Sequence, residues 1–303
     1  MNRRFRSRVG VSVSDYACVS SKMKEALDSF GFDLNGKKNV IIKINLCDLR
    51  TPETGAITHP LFLNAFLQYL RTSHKLDHIY VVESNSTVGL PDFFLQWFGF
   101  IPVLEKWNAE YLNLSKCESE LKKVDGLCLK QMRVPKIFSD DSYFVSMSKL
   151  KTSNITKITC SLKNQFGCLR TRWKSKYHSM INEVIADANM VFKPDFSIVD
   201  GIIGMGGVQG PSFGTPVPAK VFVYGEDPVA VDSVCARIMG FNPSRVSHIK
   251  KSEKLGIGTT RFEIVGTRIE DLKIDFSFSK LEYYALRFGA FLQKRHSRGE
   301  QEQ

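Results

Sequence analysis

Two apolar segments with a helical segment between them constrain the fold of this chain most. Residues 39–46 read N-V-I-I-K-I-N-L and residues 78–83 read H-I-Y-V-V-E, the β-branched and apolar pattern of strands that are covered on both faces. The tripeptide T-H-P between them opens a helix, with Thr58 as its cap and Pro60 in its first turn. A strand, a helix and a strand in this order favour parallel pairing of the two strands.

Strand and helix patterns continue to alternate along the rest of the chain. Asp227-Pro228 and Asn242-Pro243 are helix-start signals, because an Asp or Asn side chain can cap a helix and proline fits its first turn. Further strands are predicted at residues 8–13, 143–147, 196–203, 219–224 and 261–265, and further helices at residues 20–30 (with Ser20 as the cap), 92–98 and 174–191.

These patterns predict an α/β fold with a mostly parallel sheet and helices on both faces. We expect one domain over residues 8–270, with two lobes around a cleft as an alternative arrangement. Residues 271–303 are expected to form a C-terminal amphipathic helix and a polar tail, with the helix packing on the core or serving a contact.

The net charge and the cysteines narrow the class of protein. A formal net charge of +11 and a pI near 9.3 favour acidic partners such as phosphorylated metabolites, nucleic acid or an anionic membrane surface. The seven cysteines are scattered without a C-x-x-C pair, which argues against a disulfide framework, a zinc ribbon or a ferredoxin-type cluster. Scattered thiols, the lack of a secretory signal pattern and the lack of a bilayer-spanning apolar run together predict a cytoplasmic protein.

Polar side chains follow several of the predicted strands at their carboxyl ends. In open parallel sheets, ligands bind beyond this edge, so polar residues from separate strands are expected to meet there. The residues that this argument brings together are Lys43, Asn45, Glu83, Lys149, Lys151 and Asp200.

A basic segment and a glycine-rich loop point to an anionic ligand. Residues 142–182 contain eight Lys or Arg and no Asp or Glu, and within them Lys163-Asn164 could clamp a phosphate or a carboxylate. The loop at residues 204–214 lacks the G-K-[ST] of a P-loop, but its amides could form an anion-binding nest. The glycines expected to contribute are Gly206, Gly207 and Gly210. A surface turn at Lys163-Asn164 and a proline-stiffened structural loop are the alternatives.

Two side chains are candidates for proton transfer. His178 follows the basic segment, and an imidazole can act as acid or base near neutral pH, although a histidine at a helix start is often structural. Asp200 lies on the predicted strand that feeds the glycine-rich loop. Helix capping explains Asp227, so we predict no metal site even though carboxylates among phosphates could bind Mg²⁺. The sequence does not identify a cofactor.

Several motifs, taken in order, resemble those of one known family. They are I-I-K-I-N-L, T-H-P, V-V-E-S-N, S-L-K-N-Q-F-G, K-S-K-Y-H, V-D-G-I-I-G-M-G-G-V-Q-G-P and D-P-V-A-V-D, between about Val9 and Gly240. The resemblance is to domain-of-unknown-function family 362, whose members are often described as iron–sulfur-associated. It implies an α/β domain without an established general reaction.

Two further expectations come from this resemblance. Many members carry an appended ferredoxin-like module with two C-x-x-C-x-x-C clusters, and this sequence lacks those cysteines, which argues against a built-in electron-transfer role. The I-K-x-N-L motif and the glycine-rich loop are also similar, as an analogy, to the nickel-pincer lactate racemase family.

Three functional hypotheses follow from the sequence. The first is an enzyme or binder for a small phosphorylated or carboxylated metabolite, held by the residues named above. The second is nucleic-acid binding through residues 149–176, where aromatic residues are sparse. The third is an interaction module that docks on a separate ferredoxin-like iron–sulfur protein.

Overall fold

The computed structural model describes residues 6–139, 141–207, 213–272, 274–277 and 281. Most of the predicted C-terminal helix and tail therefore lies outside the described residues, and so does Gly210. The strands are β1 (Ser7–Val13), β2 (Asn39–Lys43), β3 (His78–Glu83), β4 (Glu110–Asn113), β5 (Ser119–Lys123), β6 (Gln131–Pro135), β7 (Ser142–Ser153), β8 (Lys157–Thr159), β9 (Phe196–Gly206), β10 (Thr215–Val217), β11 (Val221–Gly225) and β12 (Phe262–Gly266).

The α-helices lie between many of these strands along the chain. They are α1 (Val19–Phe30), α2 (Pro60–Ser73), α3 (Pro91–Trp97), α4 (Ile101–Lys106), α5 (Ser161–Asn164), α6 (Ile181–Val191), α7 (Pro228–Ile238) and α8 (Ser247–Lys254). Short 3₁₀ segments connect several of them, at Pro52–Thr54, Lys136–Ser139, Gln165–Cys168, Lys174–Met180, Pro243–Arg245 and Ile269–Asp271.

One large sheet organises the molecule, in the order β12-β1-β11-β9-β7-β2-β3-β4. The pairs β12/β1, β9/β7, β7/β2, β2/β3 and β3/β4 are parallel, whereas β11 is antiparallel to both of its neighbours. Strands β8 and β10 add short antiparallel pairs to β7 and β9, and β5 and β6 form a separate hairpin. The prediction of a mostly parallel α/β sheet is confirmed.

Helices cover both faces of this sheet, as predicted. Side chains alternate along β2: Val40 and Ile42 pack into the core that contains α1 and α2, whereas Ile41 packs into a core on the opposite face with α6. A third core joins β1, β9 and β11 to α6, α7 and α8. Burial on both faces explains why β2 and β3 read as almost continuous apolar runs.

Two of the predicted helix caps are wrong. Helix α2 is capped by His59, whose Nδ1 accepts a 3.2 Å hydrogen bond from the amide of Leu61. The Thr58 hydroxyl is not available for this role, because its oxygen accepts a 2.9 Å hydrogen bond from the amide of Asn45. Helix α1 begins at Val19, one residue before the predicted cap Ser20, after a turn in which a carboxylate oxygen of Asp15 accepts a 3.0 Å hydrogen bond from the amide of Cys18.

The start of α7 is as the sequence predicts. The Oδ1 atom of Asp227 accepts hydrogen bonds from the amides of Val229 (2.8 Å) and Ala230 (3.1 Å), and Pro228 is the first helical residue. This helix packs against β1, β9 and β11. The cap therefore also stabilises the hydrophobic core that the helix forms with these strands. Within the described ranges, the structure contains no helix that has both the length and the apolar character needed to cross a membrane.

Candidate functional site

A cleft of about 720 Å³ lies at the carboxyl ends of β2, β3 and β7. Lys43 and Glu83 are the last residues of β2 and β3, so parallel pairing brings both to this edge of the sheet. Four lysines line the cleft, and Glu83 is the sole acidic group among its described lining residues. The four are Lys43, Lys151, Lys163 and Lys174.

The charge of Lys43 is compensated inside the protein. Its Nζ atom lies 2.8 Å from Oε1 of Glu83 and also donates to the carbonyl of Ile44 at 2.7 Å. The Glu83 carboxylate is held in turn by the backbone amides of Leu46 and Ser84, each at 2.9 Å. Lys43 is 1% exposed and Glu83 is 4% exposed, so the pair forms a rigid, shielded floor for the cleft.

Lys151 belongs to a network of neutral groups. Its Nζ atom donates to Oδ1 of Asn45 at 2.8 Å and to the carbonyl of Ala56 at 2.7 Å, and lies 3.3 Å from Sγ of Cys47. The side-chain Nδ2 of Asn45 donates to Oδ1 of Asn164 at 3.2 Å. The side-chain Nδ2 of Asn164 donates in turn to the backbone carbonyl of Lys43 at 2.9 Å. The two asparagines therefore connect Lys151 to the Lys43–Glu83 floor.

Lys163 reaches the cleft from α5. Its Nζ atom donates to the hydroxyl oxygens of Ser153 at 3.1 Å and Thr159 at 3.2 Å, which are neutral partners. Burial, and next the nearby Lys151 cation, lower the pKa of Lys163 to about 8. The ammonium group is therefore less stable here than in water, which is the condition that a bound anion would relieve.

Lys174 lies at the start of the 3₁₀ segment Lys174–Met180. Its Nζ atom donates to Oγ of Ser84 at 2.9 Å and to the carbonyl of Asn85 at 2.7 Å. Burial lowers the pKa of Lys174 to about 8, with Lys43 acting in the same direction and Glu83 in the opposite one. Lys174 is not among the site residues predicted from the sequence. It begins the K-S-K-Y-H motif that ends at His178, and this motif was the sequence feature that could have identified it.

The turn that carries Lys163 and Asn164 is anchored from behind by Asp232. One carboxylate oxygen accepts a 2.7 Å hydrogen bond from the amide of Ser161, and the other accepts one of 3.1 Å from the amide of Leu162. Burial raises the pKa of Asp232 to about 8, while the two backbone hydrogen bonds act to lower it. The D-P-V-A-V-D motif thus holds the S-L-K-N-Q-F-G motif in place.

Lys149 and Asp200 form a separate buried pair. The Nζ atom of Lys149 lies 2.8 Å from Oδ2 of Asp200, whose carboxylate also accepts 3.1 Å hydrogen bonds from the hydroxyl of Tyr16. Burial lowers the pKa of Lys149. A register shift between Lys149 and Lys151 separates the two lysines, and neither Lys149 nor Asp200 is among the described residues that line the cleft.

His178 lines the cleft and is exposed. It lies in the same 3₁₀ segment as Lys174. Of the candidate site residues, the structure brings these into one cleft: Lys43, Asn45, Glu83, Lys151, Lys163, Asn164 and His178.

The described part of the glycine-rich loop forms a hairpin between β9 and β10. Gly206 pairs with Thr215, and the amide of Gly207 donates a 2.9 Å hydrogen bond to the carbonyl of Phe276. Gly207 has φ of +86°, a conformation that favours glycine. Neither glycine is among the described lining residues of the cleft, whereas Phe213 from the same hairpin is.

No group of three or more His, Cys, Asp or Glu side chains in the described part of the chain is arranged to hold a metal ion. The carboxylates that could have met at such a site have separate structural partners. Asp227 caps α7, Asp232 anchors α5, and Asp200 pairs with Lys149.

Comparison of this chain with known proteins supports the family resemblance that the sequence motifs indicated. A curated relative, the thylakoid-associated protein sll1697 of Synechocystis sp., is 23% identical over 247 residues, which cover 79% of this chain and 75% of the relative. A solved structure of the lactate racemase apoprotein from Thermoanaerobacterium thermosaccharolyticum matches with a TM-score of 0.45 and 12% identity. That match covers 83% of this chain but only 57% of the racemase chain. Residues 40–237, more than half of the chain, match the family model described as "Domain of unknown function (DUF362)", and the protein belongs to this family.

Proposed function

We propose that the cleft binds a small anionic metabolite through a phosphate or carboxylate group. The observation that carries this proposal is that Lys151, Lys163 and Lys174 donate their hydrogen bonds to neutral partners inside one cleft. Withdrawing an ammonium group from water without an opposite charge costs free energy. A bound anion would supply the missing charge to all three lysines.

The charge balance favours a doubly charged group. Four ammonium groups against the one carboxylate of Glu83 leave an excess of three positive charges among the described lining residues. A phosphate dianion or a dicarboxylate matches this excess better than a single carboxylate does. Asn45 and Asn164 lie at the same edge and can orient a ligand through hydrogen bonds.

Burial makes nucleic-acid binding the weaker alternative. Lys149 and Lys151 are fully buried and Lys174 is 8% exposed, so much of the basic segment 149–176 faces inward. A phosphate backbone is bound by cations on an accessible surface. Arg172 and Lys176 are exposed, but two exposed cations in this segment are a small footprint for a polyanion.

His178 is the proposed proton-transfer group if the bound anion reacts. It is exposed and lines the cleft, so a ligand can reach its imidazole. Asp200 is enclosed with Lys149 and Tyr16, which makes it a weaker choice for direct contact with a ligand.

A cytoplasmic location is part of the same proposal. It is supported by the seven cysteines, all of which are free thiols.

A titration with small anions tests the proposal. Thermal unfolding is followed with inorganic phosphate, pyrophosphate, malonate and acetate at constant ionic strength, and affinities are then measured by calorimetry. We expect doubly charged anions to raise the unfolding temperature more than acetate does. Lys163→Ala should weaken binding at least about tenfold, since a charge-assisted hydrogen bond is lost.

Lys176→Ala is the matched control. Lys176 belongs to the same basic segment, is exposed, and lies against the ring of Tyr177 with its Nζ 4.9 Å from the ring centroid. The whole-chain charge changes by the same amount in both variants, so a general electrostatic effect would weaken both equally. The proposal fails if no anion stabilises the protein, or if the two variants lose the same affinity.

A further inference from the structure

The lysine-lined floor of the cleft is accompanied by an apolar wall and mouth. Two large apolar side chains of this lining remain well exposed, Val88 at 50% and Phe213 at 78%. Exposed apolar side chains at the opening of a cleft are typical of a binding surface rather than of a solvated one. The apolar members of the lining are Leu46, Val88, Ile155, Phe166, Ile181 and Phe213.

These apolar side chains reach the cleft from separate segments. Val88 lies in the loop after β3, next to Thr87, whose hydroxyl donates a 3.2 Å hydrogen bond to the carbonyl of Arg172. Phe213 comes from the hairpin between β9 and β10. Two loops from different parts of the sheet thus place exposed apolar groups over one cationic floor.

The size of the cleft also exceeds the needs of a simple anion. A volume of about 720 Å³ is within the range of sites for drug-sized ligands, roughly 300–1,000 Å³. A phosphate group on the lysines would leave most of this volume next to apolar side chains. Water molecules next to these side chains would find few hydrogen-bond partners. An apolar group in the same space would be favourably removed from water.

We propose that the occupant is an amphipathic anion, in which one phosphate or carboxylate head is bonded to an apolar ring or chain. This inference rests on the proposed function, because the head occupies the lysine-lined floor. The apolar part lies against Val88 and Phe213. The same chemistry is found in free metabolites and in lipids, and the experiment below separates these sources.

Calorimetry with a homologous series tests the inference. The probes are inorganic phosphate, methyl phosphate, hexyl phosphate and neutral hexanol, which vary the head and the chain independently. Hexyl phosphate should bind at least about tenfold more tightly than methyl phosphate, because each buried methylene adds to the affinity. In the double variant Val88→Ser/Phe213→Ser this advantage should disappear, while the affinity for methyl phosphate stays the same.

Leu121→Ser is the control for loss of an exposed apolar side chain. Leu121 is 55% exposed, lies on β5 and is not among the described residues of the cleft. This variant should retain the preference for hexyl phosphate. Unfolding curves of both variants establish that each is folded at the temperature of the titration.

The outcomes separate this inference from the proposed function. Equal affinities for methyl and hexyl phosphate would overturn the inference and leave anion binding intact. Binding of hexanol as tight as that of hexyl phosphate would overturn it as well, since the head would then contribute nothing. Failure of every phosphate to bind would overturn both proposals.

Vesicles distinguish the two sources of the apolar group. Co-sedimentation with phosphatidate-containing vesicles that is lost in the double variant, with none on phosphatidylcholine vesicles, would support a lipid chain. Tight binding of hexyl phosphate without co-sedimentation would support a free metabolite. Co-sedimentation that the double variant retains would contradict a role for Val88 and Phe213.

Discussion

The carboxylate of Asp232 accepts a 2.7 Å hydrogen bond from the backbone amide of Ser161, which joins two segments that are 71 residues apart. A second bond, of 3.1 Å, comes from the amide of Leu162. Both residues of the first bond are fully buried. Asp232 is therefore a positioning residue: it holds the turn whose next residues, Lys163 and Asn164, face the cleft.

Asp232→Asn should weaken both the fold and the site. An asparagine side chain has one acceptor oxygen, so one of the two amides at Ser161 and Leu162 would be left without a partner. We expect the free energy of unfolding to fall by about 1–3 kcal/mol in urea titrations. We also expect the affinity for phosphate to fall several-fold, measured well below the unfolding temperature.

Asp227→Asn separates positioning from stability. Asp227 caps the start of the same helix through Oδ1, and its Oδ2 atom accepts hydrogen bonds from the Ser7 hydroxyl at 2.7 Å and the Thr259 amide at 2.8 Å. This variant should lose stability and keep its affinity for phosphate. Unchanged phosphate affinity in Asp232→Asn would remove the positioning role.

The affinity for anions should fall as the pH rises through about 8. Lys163 and Lys174 both have a pKa lowered to about 8, mainly by burial, so each loses its charge well below the ordinary lysine range. A dianionic probe such as sulfate, which does not titrate between pH 6 and 10, isolates this effect. We expect at least about a tenfold loss of sulfate affinity between pH 7 and pH 9.5. Constant affinity up to pH 9.5 would show that neither lysine contributes its charge to binding.

Removing the Lys163 charge should stabilise the protein without ligand. The lowered pKa means that the folded state disfavours the charged form, a penalty that is fully present below pH 8 and is lost as the pH rises towards 10.5. Lys163→Met should therefore raise the free energy of unfolding at pH 7 by roughly 1–3 kcal/mol. The difference between variant and wild type should shrink by pH 10. A variant that is less stable than wild type at pH 7 would contradict this reasoning.

The end of β3 could be predicted from sequence because a local pattern determines it, whereas β2 ends at Lys43 before the predicted residue 46, and β7 extends to Ser153 beyond the predicted residue 147. Residues 79–82 are apolar or aromatic and Glu83 follows them, and parallel pairing then places Glu83 beside the end of β2. The same reasoning failed to separate Lys149 from Lys151. Both lysines follow the predicted strand at residues 143–147, so both were expected beyond its carboxyl end, at the site. The register shift between them depends on tertiary pairing with β9, which no local pattern reveals.

Lys174 and Asp232 were missed as site residues for a related reason. Lys174 follows a segment of irregular structure, so its approach to Ser84 depends on contacts 90 residues apart. Asp232 lies in the middle of an apolar helix and looks from sequence like part of a helix-start motif. Its partners are backbone amides of a distant turn. Since nearly every residue has a backbone amide, the sequence does not indicate which ones Asp232 contacts. Long-range polar contacts of this kind were the part of the site that residue patterns could not predict.

Gly167 allows the backbone to pass close to the Lys43–Glu83 pair. A Cβ atom at this position would lie 2.7 Å from Nζ of Lys43 and 3.1 Å from Oε1 of Glu83. Because both side chains are buried, Gly167→Ala should displace the pair and reduce stability by about 1–3 kcal/mol. The phosphate affinity should also fall several-fold in calorimetry.

Gly31→Ala provides the comparison for Gly167→Ala. Gly31 follows α1 with φ of +77°, and a Cβ atom there would have no neighbour within 4 Å. Its replacement should cost about 1 kcal/mol through backbone strain alone and should not change phosphate affinity. Equal affinities in the two variants would exclude a specific effect of Gly167 on the floor of the cleft.

The Lys149–Asp200 pair provides a test of whether Asp200 serves structure or chemistry. Both side chains are fully buried and their charges lie 2.8 Å apart. Lys149→Met would leave the Asp200 carboxylate with the Tyr16 hydroxyl and a backbone amide as donors, and should cost about 3–5 kcal/mol of stability. The double variant Lys149→Met/Asp200→Leu should recover part of this loss, because no uncompensated charge remains. Its affinity for phosphate should stay within about twofold of wild type, because neither residue lines the cleft. If the double variant recovers stability but loses phosphate affinity, the Lys149–Asp200 pair affects ligand binding indirectly, without contacting the ligand. That result would contradict a purely structural role for Asp200.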